Sequence, residues 1–402
     1  MQTDTLHHWY GPSRFVIGAG CVGELEPIAK DAEISHVLLI TSQSVAADSE
    51  IINPIIDGLG SLDVTVFDEV SIKKELETVL AAVDLIESSS IDGIVSVGGG
   101  STVDVARAVS AVAVTDDDPT TLFADVGDDG EIEFSDIPSA SLPVIAIPTT
   151  LSGAEVTCAA GMNIGDPDQG SRRVRNAPMI SPDLWPEAIF YDPKIAARTP
   201  DSVLGPSAMN GLDHGIEMLY SRNGSAFTDA TATQGIRLFN ESIPNLLGDS
   251  QNIDTLERAM TGVALSTLGL IDPTTGAKYS VIHAFGHQLA QRYDVHQGQV
   301  HGIVAPTVLD YIFDNIETNQ AQLAEALGCA TKKDSQTAIV NRVRELRNAL
   351  SLPSELRTLD AIERNDFPEL AEAIRNDIGI QFGPSGLTPT TAEIEGILDS
   401  AW

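Results

Sequence analysis

At 402 residues with 43% hydrophobic and 20% charged content, the chain holds enough apolar mass for two domains of about 100–200 residues each. Acidic residues outnumber basic ones 58 to 23, and the formal net charge of −35 excludes a nucleic-acid partner. The same charge fits a hydrated surface that stays soluble in molar salt, where repulsion is screened within about 3 Å.

No uncharged apolar run reaches the roughly 18 residues of a membrane span, and the start lacks the basic-then-apolar order of a secretory signal. Cys21, Cys158 and Cys329 are too few and too scattered for a disulfide framework or a zinc cluster. A cytoplasmic protein without a membrane partner is expected. The elements begin with Arg14-Phe15-Val16-Ile17, a short strand that runs into a glycine turn and a helical stretch to about Ala32. Apolar strands follow at 36–41, 64–67, 93–97 and 143–147, with a long helix near 73–89 and another over 102–111. This alternation predicts a parallel sheet with helices on its faces. The acidic stretch between Thr115 and Leu142 lacks the oxygen spacing of an EF-hand and reads as a solvated excursion. Beyond Phe190-Tyr191-Asp192-Pro193 the apolar spacing turns helical up to a last helix, for which Thr390 and Glu393 offer a capping box. The expectation is a Rossmann-like α/β dinucleotide-binding domain over 1–192 and an all-α catalytic domain over 193–402.

Two glycine turns compete for a dinucleotide. Gly18-Ala19-Gly20-Cys21-Val22-Gly23 matches G-x-G-x-x-G, but no carboxylate follows the next strand, where the chain reads Thr41-Ser42-Gln43-Ser44. Gly98-Gly99-Gly100-Ser101 follows a buried strand and opens a helix, so bare N–H groups converge where an anion binds, and Ser101 is placed to cap that helix. Pro148-Thr149-Thr150-Leu151-Ser152 gathers hydroxyls at the carboxyl end of another buried strand, the edge at which open parallel sheets bind ligands. Five of the eight histidines, His214, His283, His287, His296 and His301, lie in the helical half. His283 and His287 are four apart and share a helix face, as do Asn210 and His214, so two pairs of polar side chains can be aimed at one centre.

Together these stretches resemble the iron-containing alcohol dehydrogenase superfamily, which includes glycerol dehydrogenases and, more distantly, dehydroquinate synthases. The carriers are Gly98-Gly99-Gly100-Ser101 with Asp104 and Arg107, Pro148-Thr149-Thr150 with Glu155, Tyr191-Asp192-Pro193, the segments 209–217 and 283–289, and Pro306. The compact turn from Pro148 to Glu155 and the segment 293–306, which includes His301, are most similar to the maleylacetate reductase branch. The resemblance implies a dehydroquinate synthase-like fold, NAD(P)H as cofactor, and hydride transfer between nicotinamide and a small carbonyl, enone or alcohol. It also implies a homodimer or larger assembly. The superfamily's divalent ion, iron or zinc, is held by one Asp and three His; the matching positions here are Asn210, His214, His283 and Gln297. A negative charge and an imidazole are thus missing, which puts tight metal binding in doubt unless His296 or His301 takes the place of Gln297.

On this footing the pyrophosphate is expected on Gly98, Gly99, Gly100 and Ser101, with Asp104 nearby and the nicotinamide against Thr149, Thr150 and Ser152. Ser42 stands where NAD-specific members often hold Asp, so NADPH is expected to be accepted. Without a metal, His287 is expected to deliver the proton, with His214 and His283 stabilising the developing oxyanion. The rival readings are a metal-dependent alcohol or polyol dehydrogenase with altered ligands, a dehydroquinate synthase-like lyase, and a non-catalytic binding descendant.

Overall fold

The computed structural model describes residues 10–116, 118–123, 137, 141–165, 174–248, 252–272, 275–293, 295–330, 334–360 and 362–402. The chain divides into two units, one built from Tyr10–Thr150 and Ala154–Thr199, the other from Leu151–Gly153 and Pro200–Trp402. Most of the acidic stretch that resembles a calcium loop lies outside the described residues.

In the first unit the elements run β1 (Arg14–Ile17), α1 (Leu25–Asp31), β2 (His36–Ile40), α2 (Gln43–Ala46), α3 (Ser49–Leu59), β3 (Asp63–Phe67), α4 (Leu76–Ser88), β4 (Gly93–Gly98), α5 (Gly100–Val112), β5 (Val144–Pro148), β6 (Ala159–Gly165), β7 (Val174–Ile180), β8 (Ala188–Tyr191) and α6 (Pro193–Ala196). Six strands form a parallel sheet in the order β1-β8-β5-β4-β2-β3. Strands β4 and β5 are buried along their whole length, as a sheet covered on both faces requires. The two-residue period sorts their side chains. Leu38, Ile40 and Ile94 pack with Val79, Ala82, Val105 and Ala108 of α4 and α5, whereas Val37, Leu39, Val95, Val97 and Ile147 pack with Leu25, Ile28, Ile51 and Ile55 of α1 and α3.

Two local readings change. The helix expected near 73–89 starts only at Leu76, because Lys74 takes a positive φ of 49° in a turn before it. The antiparallel β6–β7 pair was not legible, since Gly161, Asn163, Gly165 and Pro178 are poor strand formers.

The second unit is helical: α7 (Asp201–Tyr220), α8 (Ala226–Ser242), α9 (Ile253–Thr267), α10 (Val281–Tyr293), α11 (Gln297–Asn315), α12 (Gln320–Ala326), α13 (Ser335–Ala349), α14 (Phe367–Arg375), α15 (Ile378–Gln381) and α16 (Thr391–Ser400). A two-residue antiparallel pair, β9 (Ile271–Asp272) with β10 (Gly276–Ala277), precedes α10. Helix α7 is buried on nearly every face from Leu204 to its end, so its polar residues Asp213, His214 and Glu217 are core residues. Thr390 and Glu393 form the expected capping box at α16. No helix among the described residues is long and apolar enough to cross a membrane.

Candidate active site

The direction of strand order reverses between β2 and β4: β3 lies outward of β2 on one side, while β5 and β8 follow β4 on the other. In an open parallel sheet the crevice at such a reversal, beyond the carboxyl ends of the strands, is where a ligand fits. Gly98-Gly99-Gly100-Ser101 leaves β4 at that point, and Ser42 leaves β2 beside it. Gly98 has φ +152°, and a Cβ there would stand 2.5 Å from Thr102 Oγ1, so only glycine allows the turn. Ser101 does not cap α5, contrary to expectation. The helix starts at Gly100 with Gly99 as N-cap and no side-chain cap bond, because the all-glycine turn closes two residues before Ser101.

Thr149 and Thr150 lie at the end of β5, buried, with Thr149 N donating to Gly98 O at 2.9 Å and Thr199 Oγ1 donating to Thr149 O at 2.7 Å. Ser42 Oγ caps α2 by accepting from Val45 N at 3.5 Å. Asp104, on α5, pairs with Lys74 Nζ at 3.0 Å. The rival turn at Gly18 is filled from within: Asp192 accepts from Gly20 N at 3.0 Å and from Val22 N at 3.4 Å. An internal carboxylate therefore takes the place that a phosphate would need.

In the helical unit, α7 and α10 bring three imidazoles together. The His214 and His283 rings are nearly parallel with centroids 4.7 Å apart, and His287 stands edge-on to His283 at 5.9 Å. Burial, then the neighbouring His283 and His287, holds His214 well below the usual histidine range. His283 Nδ1 lies 2.5 Å from Glu217 Oε2, and its Nε2 has no hydrogen-bond partner among the described residues. His287 is more accessible, at 35% of its side chain, and its Nδ1 faces Asp377 Oδ1 at 3.4 Å. Ser152, in the loop that packs with this unit, accepts from Asn210 Nδ2 at 3.1 Å through its carbonyl.

The residues that the resemblance assigns to a metal, Asn210, His214, His283 and Gln297, do not fit a tightly held divalent ion. Asn210 and Gln297 are neutral amides, leaving two imidazoles and no carboxylate. Neither alternative histidine completes the set. His296 is committed to the N-cap of α11, where Nδ1 accepts from Gly298 N at 3.1 Å. His301 is fully buried with Nδ1 3.2 Å from Asp213 Oδ2, in space that exists because Gly286 has no Cβ; one there would come within 2.2 Å of His301 Nε2. Burial, then the charge of Glu217, pushes Asp213 well above the carboxylate range, and burial, then the neighbouring histidines, drives His301 well below the histidine range. Among the described residues no three His, Cys, Asp or Glu side chains are grouped to hold a cation.

Two carboxylates at this site were not singled out from the sequence. Glu217 accepts from the backbone N–H of Ser280 and Ile282, each at 2.6 Å, from Tyr220 Oη at 3.0 Å, and from His283. It fixes both the start of α10 and the ring of His283. Its spacing of three from His214 on one helix was the available signal. Asp377 lies 90 residues beyond His287, and nothing in spacing could have joined them.

A family model described as iron-containing alcohol dehydrogenase matches residues 12–193, and the C-terminal model of the same family matches 206–402. The chain is 25% identical over 411 residues to an NAD-dependent methanol dehydrogenase of Bacillus methanolicus, covering 98% of this chain and 100% of that one. It is also 25% identical over 320 residues to a maleylacetate reductase of a Rhizobium species, covering 79% and 78%. Among solved structures, an alcohol dehydrogenase from Oenococcus oeni superposes with a TM-score of 0.87 at 19% identity, covering 98% of this chain and 100% of that one. The parallel-sheet unit and the helical unit are thus a fold shared with that solved alcohol dehydrogenase.

Proposed function

This chain belongs to the iron-containing alcohol dehydrogenase family and is a nicotinamide-dependent oxidoreductase, and we propose that it reduces a small carbonyl or enone by hydride transfer without a metal. The observation that carries this reading is the neutral donor set at Asn210 and Gln297, joined to a cluster of four imidazoles in which His301 meets His283 edge-on at 4.4 Å beside His214 and His287. In the proposed reaction Gly98, Gly99, Gly100 and Ser101 hold the pyrophosphate on bare N–H groups, with Asp104 and Ser42 flanking it. Thr149, Thr150 and Ser152 line the nicotinamide. A hydride leaves the nicotinamide for the carbonyl carbon, or for the β-carbon of an enone, the π electron pair moves to the carbonyl oxygen as an alkoxide or enolate, and His287 delivers a proton to that oxygen, an enol then returning to the ketone. His214 and His283 hold the oxygen by hydrogen bonds as charge develops.

Maleylacetate is the first substrate to test, given the likeness to the reductase that bears its name. A second reading, reduction of an uncharged aldehyde or ketone, is favoured by the engagement of the nearest cations. Lys278 is buried, with Nζ on Thr275 Oγ1 and Gly276 O; Arg222 donates to Gly383 O; and Arg292 pairs with Glu369. The test is NADH and NADPH oxidation in molar salt, with maleylacetate and with small aldehydes, before and after exhaustive chelation. Turnover is expected to survive chelation within about twofold. Activity lost to the chelator and restored by added Fe²⁺ or Zn²⁺ would replace this reading with a metal-dependent alcohol dehydrogenase.

A further inference from the structure

Asp377 precedes the four-residue helix α15, and its carboxylate is only 6% exposed. It accepts from Gly379 N at 2.9 Å through Oδ1 and from Gln288 Nε2 at 2.8 Å through Oδ2, while Oδ1 also faces His287 Nδ1 at 3.4 Å. Capping a single short turn accounts for only the first of these contacts. The other two reach consecutive residues of α10, so the carboxylate is aimed at the helix that carries His287. The ring is also held from a second side. Tyr279 meets His287 edge-on at 5.7 Å, and Phe382, the residue after α15, meets Tyr279 edge-on at 5.5 Å.

An ionised carboxylate only accepts, so a hydrogen bond to Asp377 requires the proton on Nδ1 and makes Nε2 the nitrogen that exchanges a proton with a substrate. We propose that Asp377 is a positioning residue of the reduction, fixing the ring orientation and the Nδ1–H tautomer of His287 so that Nε2 delivers the proton. The inference rests on the reading of His287 as proton donor. The balance closes. The imidazolium gives its Nε2 proton to the oxygen that receives the carbonyl electron pair, the hydride having gone to carbon, and remains as the neutral Nδ1–H imidazole that Asp377 holds. Solvent then restores the proton.

The experiment pairs steady-state kinetics with ¹⁵N spectra of the histidine rings, in molar salt, for the wild type, D377N, D377E, Q288A and H287N. The His287 signals are assigned by their loss in H287N. In the wild type neutral His287 is expected as the Nδ1–H tautomer, and in D377N as a mixture or as the Nε2–H form. D377N is expected to lower kcat at least about 10-fold, since loss of a carboxylate that fixes the tautomer of a proton-transferring histidine costs up to about 10⁴-fold. KM for the carbonyl, NADH affinity and Tm should hold, D377E should recover part of kcat, and Q288A, which removes one anchor of the carboxylate but leaves the carboxylate in place, should lower kcat less than D377N does. An unchanged tautomer in D377N, with H287N inactive, overturns the assignment alone. Loss of Tm and KM together with kcat, with no recovery in D377E, reduces Asp377 to a helix cap and overturns it as well. H287N at wild-type kcat overturns the proton-donor reading and this assignment with it.

Discussion

Ser42 decides a charge. At the end of β2 it offers a hydroxyl already used to cap α2, so nothing anionic at that position repels a 2′-phosphate. Ser42→Asp is expected to weaken NADPH binding relative to NADH by about tenfold or more, the effect of a carboxylate beside a phosphate at partial exposure. Titration of nicotinamide fluorescence checks it, and an unchanged ratio of the two affinities would remove Ser42 from the cofactor site. Other single residues were legible to different degrees. His214, His283 and His287 could be grouped because i, i+4 spacing on helices is a local property. Asn210 and Gln297 stood out only against a family pattern. Asp377 and the buried Asp213–His301 contact depend on helix packing, which no local spacing encodes.

Among the elements, the segment from Ala154 to Ala159 has little regular structure of its own and is organised by one side chain from α5. Arg107 is fully buried, and its guanidinium donates to the carbonyls of Leu184, Ala154, Ala159, Glu155 and Thr157 at 2.6–3.0 Å. Arg107→Met would leave those carbonyls without their donor inside the unit. A loss of at least about 3 kcal/mol is expected, since each buried acceptor left unpaired costs about 1–3 kcal/mol. Urea unfolding measures it; a midpoint within error of the wild type would mean that water replaces the guanidinium. The sequence marked Arg107 only by resemblance, because five carbonyl acceptors leave no trace in side-chain identity. By contrast β2, β4 and β5 were plain, since a strand buried on both faces must read as a continuous apolar run.

For the whole molecule, a net charge of −35 acts on every residue at once. Self-repulsion of that size opposes the folded state at low ionic strength and is screened within about 3 Å at 1 M salt. We expect Tm to rise with KCl between about 0.2 and 3 M, and a scanning-calorimetry series that stays flat or falls would disprove the adaptation to salt. One topological detail also bears on how the chain is made. Strand β1 has its sheet partner in β8, and Asp192, just beyond β8, supplies the carboxylate for the first glycine turn. The first strand among the described residues therefore cannot pair until the chain has been made as far as β8 at Ala188–Tyr191. At about 5–20 residues per second that is a delay on the order of 10–35 seconds. For that interval β1 lacks the one sheet partner it has in the folded unit, and a net charge of −35 favours repulsion over pairing between neighbouring nascent chains.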